Sequence, residues 1–485
     1  MIPVSDKLKE IMASNIRPKC EPIIKISGID NNGNQTTITW QAKDIKSMTF
    51  KRGIDPIGRE LPYMELSWTE IYKGKLNAES YPEKYENIIK YMAVELSFVQ
   101  YLSFFNTWKT LFDTNKTWKN LFVSSTTWKQ LKNNIETEIV TMPKMYLSAR
   151  PIVEGSTIKW VAKDILSFLD EQVTKAFDGV TNTIPFVNPL RYLILNSRTI
   201  ALNSPELFEG LNAIDNGLQS FQEENSALVL DKPIIFNGSV KNHLKNYASL
   251  FNMHWNFTSA HAVIKDFSNR KYTEFLFSKK IMPTYPSVAN GTNISSYSFK
   301  NYVLEKNESQ AYKKEAYENI GYEHNDGTMT YVHKYNYDNY GTSADVSAEE
   351  IDKGIIVNTT LFEPDYITVI PINYTGYDNS LSNNKVGEVF SEDNPINPYD
   401  SASSRSSNRL VFLDEYFNDT TKTLEFNSLA VLHIEPGDMV DVDTNLYYSA
   451  SGMQVRPTAT VVAIEITYNG SLKEKVIAHT EAEKG

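Results

Sequence analysis

One internal repeat constrains this chain more than any other feature. Residues 37–47 read TITWQAKDIKS and residues 157–167 read TIKWVAKDILS, so eight of eleven positions agree at an offset of 120. A duplicated segment points to a duplicated architectural unit. In each copy Ile and Trp alternate (Ile38 and Trp40; Ile158 and Trp160) before an Ala-Lys-Asp-Ile element, the pattern of a half-buried strand ending in a corner. Trp40 and Trp160 are expected to organise equivalent strands, with Asp44 and Asp164 capping or pairing at equivalent corners.

The flanking sequence supports strands in both copies. Met64, Leu66 and Trp68 alternate with Glu65, Ser67 and Thr69, and Met92, Val94, Leu96 and Phe98 alternate again. A helix would scatter such side chains around its axis, whereas a strand places them on one face. Asn32-Gly33 supplies a hairpin signal of the positive-φ type. Residues 1–102 thus read as a first β module, and residues 137–235 as a second, related one beginning EIVTMPKMYLSARPIVEG. Within the second, residues 163–176 and 205–223 read as helices.

Between the modules, residues 103–136 carry a shorter repeat, TWKTLF, TWKNLF and TWKQLK. Trp108, Trp118 and Trp128 are each followed three positions later by Leu111, Leu121 and Leu131, so each pair shares a face within one helical turn. Ten residues rotate a continuous helix by about 1000°, roughly 280° past two full turns, so the Trp side chains form no single stripe. Three short turns in a peripheral insertion fit better. Trp is favoured in binding hot spots, making these six residues candidates for contact with neighbouring proteins. Packing inside the insertion is the plainer role for them.

Residues 236–350 read as a helix–strand–strand domain with long loops. Ser239 precedes a helical pattern through Leu244, Tyr247, Ala248 and Phe251, and strands follow at Met253–Phe257 and His261–Phe267. Residues 351–485 read as a C-terminal β domain after a polar, Pro-punctuated stretch at 374–408. Its strands are a run ending at the Pro436-Gly437-Asp438 turn, a second through Met439, Val440 and Val442, and two more joined by Asn469-Gly470. The fold class expected is mainly β with some α: tandem β-barrel-like modules, a helix–strand–strand domain and a C-terminal β unit.

The chemistry of known sites is absent from the pattern. No GxGxxG, Walker loop, HExxH or GxSxG occurs, and no cofactor is expected. One cysteine, Cys20, rules out an intramolecular disulfide and a cysteine-based zinc site. His254 and His261 fall on different strands and read as packed histidines. Asp441, Asp443 and Asn445 imitate the start of a calcium loop, but Leu446 stands where that loop needs Gly, and Gly452 where it needs Glu. Glu65 and Glu70 are carboxylates on strands with nothing to mark them as a hydrolytic pair. Lys and Arg total 48 against 59 Asp and Glu, a net charge of −11 that disfavours nucleic-acid binding. The N-terminus lacks the apolar core of a signal peptide, and no run suits a membrane-spanning helix. Aromatics at 12% suit sheets and extensive contact surfaces.

Three segments carry a family resemblance. SVKNHLKNYASLFNMHWNFTSAHAVIKDF with EFLFSKKIMPTYPSV resembles the middle of bacteriophage tail hub (baseplate hub) proteins. IEPGDMVDVDT and ATVVAIEITYNGSLKEKVIAH resemble their end, and RGIDPIGRELPYMELSWTEIY is similar to the start of such tail-tip components. The resemblance implies a non-enzymatic virion protein at the tail tip, assembled in the host cytoplasm. It implies a homotrimer whose two related modules per chain make a ring of six. That ring would adapt the tail tube or distal tail ring to tail fibre or receptor-binding proteins. Tape-measure protein would be a further neighbour, and phage DNA would pass without specific binding. An acidic lumen suits such passage. Two other readings stay open: a tail protein that binds host polysaccharide through aromatics, and a wall hydrolase.

Overall fold

The computed structural model describes residues 2–71, 85, 88–102, 136–169, 171–177, 184–197, 204–230, 234–258, 261–266, 271–290, 294–305, 314–323, 329–338, 356–359, 368–372, 388–394, 412, 422–445 and 456–480. The TWK repeats, with Trp108, Trp118, Trp128, Leu111, Leu121 and Leu131, lie outside the described residues.

The chain is mainly β. A short helix, α1 (Asp6–Met12), is capped by Ser5, whose hydroxyl accepts from the Leu8 N–H at 3.2 Å. Strands β1 (Cys20–Ile29), β2 (Gln35–Gln41), β3 (Ile45–Gly53), β4 (Tyr63–Ile71), β5 (Ala93–Tyr101), β6 (Thr137–Thr141), β7 (Met145–Leu147), β8 (Ile152–Glu154) and β9 (Thr157–Lys163) follow. They join β16 (Tyr272–Phe277), β17 (Ser287–Asn290), β24 (Lys422–Ser428), β25 (Met439–Val442), β26 (Thr458–Tyr468) and β27 (Leu472–Thr480) in one 15-stranded sheet. Its central path runs β17-β24-β27-β26-β3-β4-β9-β7-β5-β1-β2.

Outside that sheet, β10 (Gln172–Phe177) pairs with β13 (Ile234–Ser239), β11 (Ile184–Pro185) with β12 (Val229–Leu230), and β14 (Met253–Phe257) with β15 (Ala262–Asp266). Two three-stranded sheets combine β18 (Ile294–Glu305), β22 (Thr368–Ile372) and β23 (Glu388–Asn394), and β19 (Lys314–Glu323), β20 (Met329–Asp338) and β21 (Ile356–Thr359). Three further α-helices are α2 (Val187–Asn196), α3 (Pro205–Glu224) and α4 (Val240–Leu250).

The alternating stretches form the strands expected of them. In β4, Met64, Leu66, Trp68 and Glu70 point inward, and in β5 Val94, Leu96 and Phe98 do. The β26–β27 hairpin turns at Asn469-Gly470, with Gly470 at φ 79°. α3 begins at Ser204-Pro205, where the cap hydroxyl and the fixed φ of proline suit a first turn. Ser239 precedes α4, and β14 follows with all five residues buried.

Three local expectations are corrected. Residues 163–176 are not a helix: β9 ends at Lys163, a 3₁₀ turn covers Ile165–Phe168, and β10 begins at Gln172. The apolar residues there, Ile165, Leu166 and Leu169, are buried by a tight turn onto the core rather than by a helical face. Residues 429–434 are not a strand; the strand is β24, ending at Ser428, and an irregular buried stretch follows. Asn32-Gly33 does not make a two-residue turn. The loop spans residues 30–34, only Gly33 has positive φ (80°), and Asp30 Oδ1 accepts the N–H groups of Asn32 and Asn34 at 2.9 Å each.

Candidate functional site: the duplicated corners and the buried loop 429–438

Both copies of the repeat form a strand followed by a 3₁₀ corner. β2 runs into a turn at Ala42–Asp44, and the Gln41 N–H donates to Asp44 Oδ2 at 3.2 Å. β9 runs into the turn at Ile165–Phe168, with Asp164 as its N-cap. Asp164 does more than Asp44. It is 1% exposed, and its carboxylate accepts from the Ser167 N–H, the Ser167 hydroxyl and the Met64 N–H, each at 2.9 Å. The Asp164 N–H returns a bond to the Met64 carbonyl at 3.0 Å, which ties the corner to β4. Burial pushes the Asp164 carboxyl up, against those hydrogen bonds, which pull it down.

The two corners thus invite unequal responses to substitution. Asp164→Ala removes a cap and a cross-strand tether and leaves a buried Met64 N–H unpaired, at an expected cost of about 2–3 kcal/mol. Asp44→Ala loses one half-exposed bond and is expected to cost about 1 kcal/mol or less. Urea midpoints of the two variants, measured side by side, check the ordering; equal costs would contradict it.

The tryptophans of both copies meet in one core. Trp40 and Trp160 ring centroids are 5.1 Å apart at 60°, and Trp68 stacks on Trp160 at 5.7 Å with planes 5° apart. β4 pairs with β9 in the register Trp68↔Trp160, which explains the stack. Tyr85 stands edge-on to Trp160 at 5.0 Å, and its hydroxyl donates to the buried carboxylate of Glu70 at 2.5–2.6 Å. Glu65 lies on the opposite face of β4, 3.6 Å from Lys163 Nζ. The two carboxylates therefore do not converge on one cleft.

Residues 429–438 form the second unusual feature. Ala430, Val431, Leu432, His433, Ile434, Glu435 and Asp438 are all buried although the backbone is irregular. Buried backbone groups need partners, and a loop lacks a ladder to supply them. Side chains from distant segments do so here. The Arg17 guanidinium donates to the Ala430 carbonyl and the Arg52 guanidinium to the Ile434 carbonyl. Glu474 Oε2 accepts from the Val431 N–H at 3.2 Å and the Ser428 hydroxyl at 2.7 Å. Asn256 Nδ2 donates to the Pro436 carbonyl at 2.9 Å, and the Ile2 N–H to the His433 carbonyl at 2.9 Å. Arg52 also lies 3.5 Å from Glu435, both side chains being buried.

Burial shifts the titrating groups of this knot. Desolvation pushes Glu474 up to about 7, opposed by its hydrogen bonds and by Arg17 and Arg52. It draws Arg17 down to about 10, and His433 to about 4 with help from Lys9. Between the ordinary 4.5 and about 7 the folded chain holds a Glu474 proton that the unfolded chain has lost. Stability from this group therefore falls as pH rises through that window and is level above it, by at most about 3 kcal/mol. Glu474→Gln is expected to flatten that slope; urea midpoints at pH 5 and pH 8 for both proteins check it.

The remaining candidate chemistry is structural. Asp441 accepts from Tyr272 Oη at 2.7 Å and Thr458 Oγ1 at 2.9 Å, while Asp443 accepts from Arg456 Nε at 2.7 Å and the Lys279 N–H at 3.0 Å. These carboxylates bind their own fold. His254 is buried on β14, and His261 lies just before β15. No cluster of metal-ligating side chains occurs among the described residues, and no described helix is long and apolar enough to cross a membrane. Sequence reasoning read the turn at Pro436-Gly437-Asp438, where Gly437 has φ 92° and the Asp438 N–H donates to the Glu435 carbonyl at 3.0 Å, but it missed the side chains gathered on residues 429–436; the only sign was an apolar run broken by His433 and Glu435.

No family model matches the chain, and no curated protein matches it by sequence. Three of the solved structures to which the chain is similar are the following. The 43 kDa tail protein of prophage MuSo2 from Shewanella oneidensis is 8% identical, with a TM-score of 0.43, covering 95% of this chain and 98% of that one. A tail protein from Neisseria meningitidis MC58 is 7% identical, with a TM-score of 0.40 and coverage of 95% and 96%. A chain from the p2 virion baseplate in its activated conformation is 10% identical, with a TM-score of 0.30 and coverage of 96% and 100%.

Proposed function

We propose that the chain is a structural component of a phage or prophage tail, acting at the tail tip as a hub between the tube and the host-recognition parts. One observation carries the reading. The three hub-like sequence segments, far apart along the chain, lie against one another. The opening segment begins at Arg52, at the end of β3, and meets the closing one there: Arg52 and Gly53 pair with Ile464 and Ala463 of β26, and the Ile54 N–H donates to the Val462 carbonyl at 2.9 Å. β16 of the middle segment pairs with β25 of the closing one, and Asn256 reaches Pro436. A resemblance spread over three scattered stretches is what a shared block of structure would produce.

In this reading the protein is not an enzyme. It self-associates as a homotrimer, contacts the tube or distal ring, the tape-measure protein and the fibres, and surrounds passing DNA without binding it. The polysaccharide-binding alternative loses support from the described tryptophans: Trp40, Trp68, Trp160 and Trp255 are all buried and offer no face to a sugar. Light scattering of the purified protein tests the assembly. A trimer of the 55.3 kDa chain has a mass of about 166 kDa. A trimer is the expected result, and a single chain at every concentration, together with normal tails from phage lacking the gene, would overturn the reading. Alanine at Trp108, Trp118 and Trp128 together is expected to weaken docking of neighbours; normal tails carrying that variant would refute docking through the insertion.

A further inference from the structure

The two copies of the repeat differ in how their strands are covered. β9 is flanked on both sides: the preceding hairpin strand β8 and β7 pair along one edge, and β4 along the other over its whole length, Thr157 to Lys163. β2 has its own preceding hairpin strand, β1, along one edge, from Gln41↔Ile23 to Gln35↔Ile29. Its other edge ends the sheet, with no strand beside it among the described residues. Among the described residues, no strand takes for β2 the position that β4 fills for β9.

That edge also lacks the usual protection. Exposed edges are blunted by shortness, charge, proline or a bulge, because unpaired N–H and C=O groups template pairing with another chain. The other edges of the large sheet follow this rule. β8 has three residues and ends in Glu154, β17 has four, β6 has five and includes Glu138, and β16 carries Glu274 at φ 54° within a register irregularity. β2 reads QTTITWQ: seven residues with no charge, no proline and no register shift. Gln35, Thr37, Thr39 and Gln41 are exposed, and β-branched residues dominate.

From the repeat and the unguarded edge together, we infer that the free edge of β2 pairs with a strand of a second copy of this chain. The β4–β9 seam is the version of this contact made within one chain, between β4, the second strand after the corner of the first copy, and the strand of the second copy. An association between chains would repeat it at the first copy. The inference rests on the self-association in the proposed function and places it on named residues.

The test compares the wild-type protein with Thr37→Lys/Thr39→Lys. Both side chains are exposed, so the variant is expected to keep its circular dichroism and thermal midpoint. Light scattering across a dilution series is expected to show the variant dissociating at concentrations about tenfold or more above wild type. Hydrogen exchange of residues 35–41 is expected to be slow in the wild-type assembly and fast after dilution. A multimer that the two lysines leave intact overturns the inference while the hub reading stands. A dimer with protected β2 amides supports the edge contact and overturns the trimer. A single chain whose β2 amides are already slow means that a segment of the same chain covers the edge, and it also overturns the inference.

Discussion

Arg52→Met is expected to destabilise the protein by about 3–5 kcal/mol, the cost of breaking a buried ion pair from one side. Arg52 is 3% exposed and sits on β3, where that strand joins the C-terminal β26. Its guanidinium satisfies the Ile434 carbonyl and faces Glu435, both within the buried irregular stretch. Without it, the buried Glu435 carboxylate loses this ion pair and the Ile434 carbonyl loses this donor. Burial draws Arg52 downward, and Glu435, Asp438 and Glu474 hold it up, so the charge is maintained by the carboxylates it serves. Arg52→Lys keeps the charge but loses the planar fork, and an intermediate cost is expected. Urea denaturation and hydrogen exchange over residues 429–438 measure both. Exchange in that stretch should rise well before global unfolding. An Arg52→Met protein with the wild-type midpoint would show that the knot contributes little.

Trp160→Ala is expected to cost about 3–5 kcal/mol, the range for truncating a buried aromatic. Trp160 is 1% exposed and touches Trp40, Trp68 and Tyr85 with ring centroids 5.0–5.7 Å apart. Trp40→Ala opens a hole in the same core, so the double variant is expected to cost less than the sum of the two. The near-ultraviolet circular dichroism of the stacked Trp68–Trp160 pair should fall in both single variants. Costs that add within about 0.5 kcal/mol would mean that the two copies of the motif pack independently, contrary to the shared core.

Much of the local structure was legible in the sequence because it depends on short-range periodicity. Alternation at Met64–Leu66–Trp68 and at Val94–Leu96–Phe98 marked β4 and β5, since side chains two apart share a face of a pleated strand. Asn469-Gly470 marked the β26–β27 hairpin, and Ser239 with the spacing of Leu244, Tyr247 and Ala248 marked α4. The repeat at 37–47 and 157–167 marked two strand–corner units, both present. The apolar positions of 163–176 misled, because a tight turn followed by a strand buries a similar set of residues as a helix does. Residues 429–434 misled for a related reason: an apolar run predicts burial but not the source of its backbone hydrogen bonds.

What only the tertiary structure decided is who stands beside whom. Sequence identity between the copies of the motif says nothing about whether Trp40 and Trp160 lie in separate cores or in one; the tertiary packing puts them in one, with Trp40 of β2 5.1 Å from Trp160 of β9 although the two strands do not pair. It likewise joined β3 to β26 across some four hundred residues of chain, and brought Arg17, Arg52, Asn256 and Glu474 to a single loop. The physical reason is the range of each interaction. Side-chain alternation and turn chemistry act over a few residues and leave a mark in sequence order, whereas strand pairing and the partners of a buried loop are chosen in space.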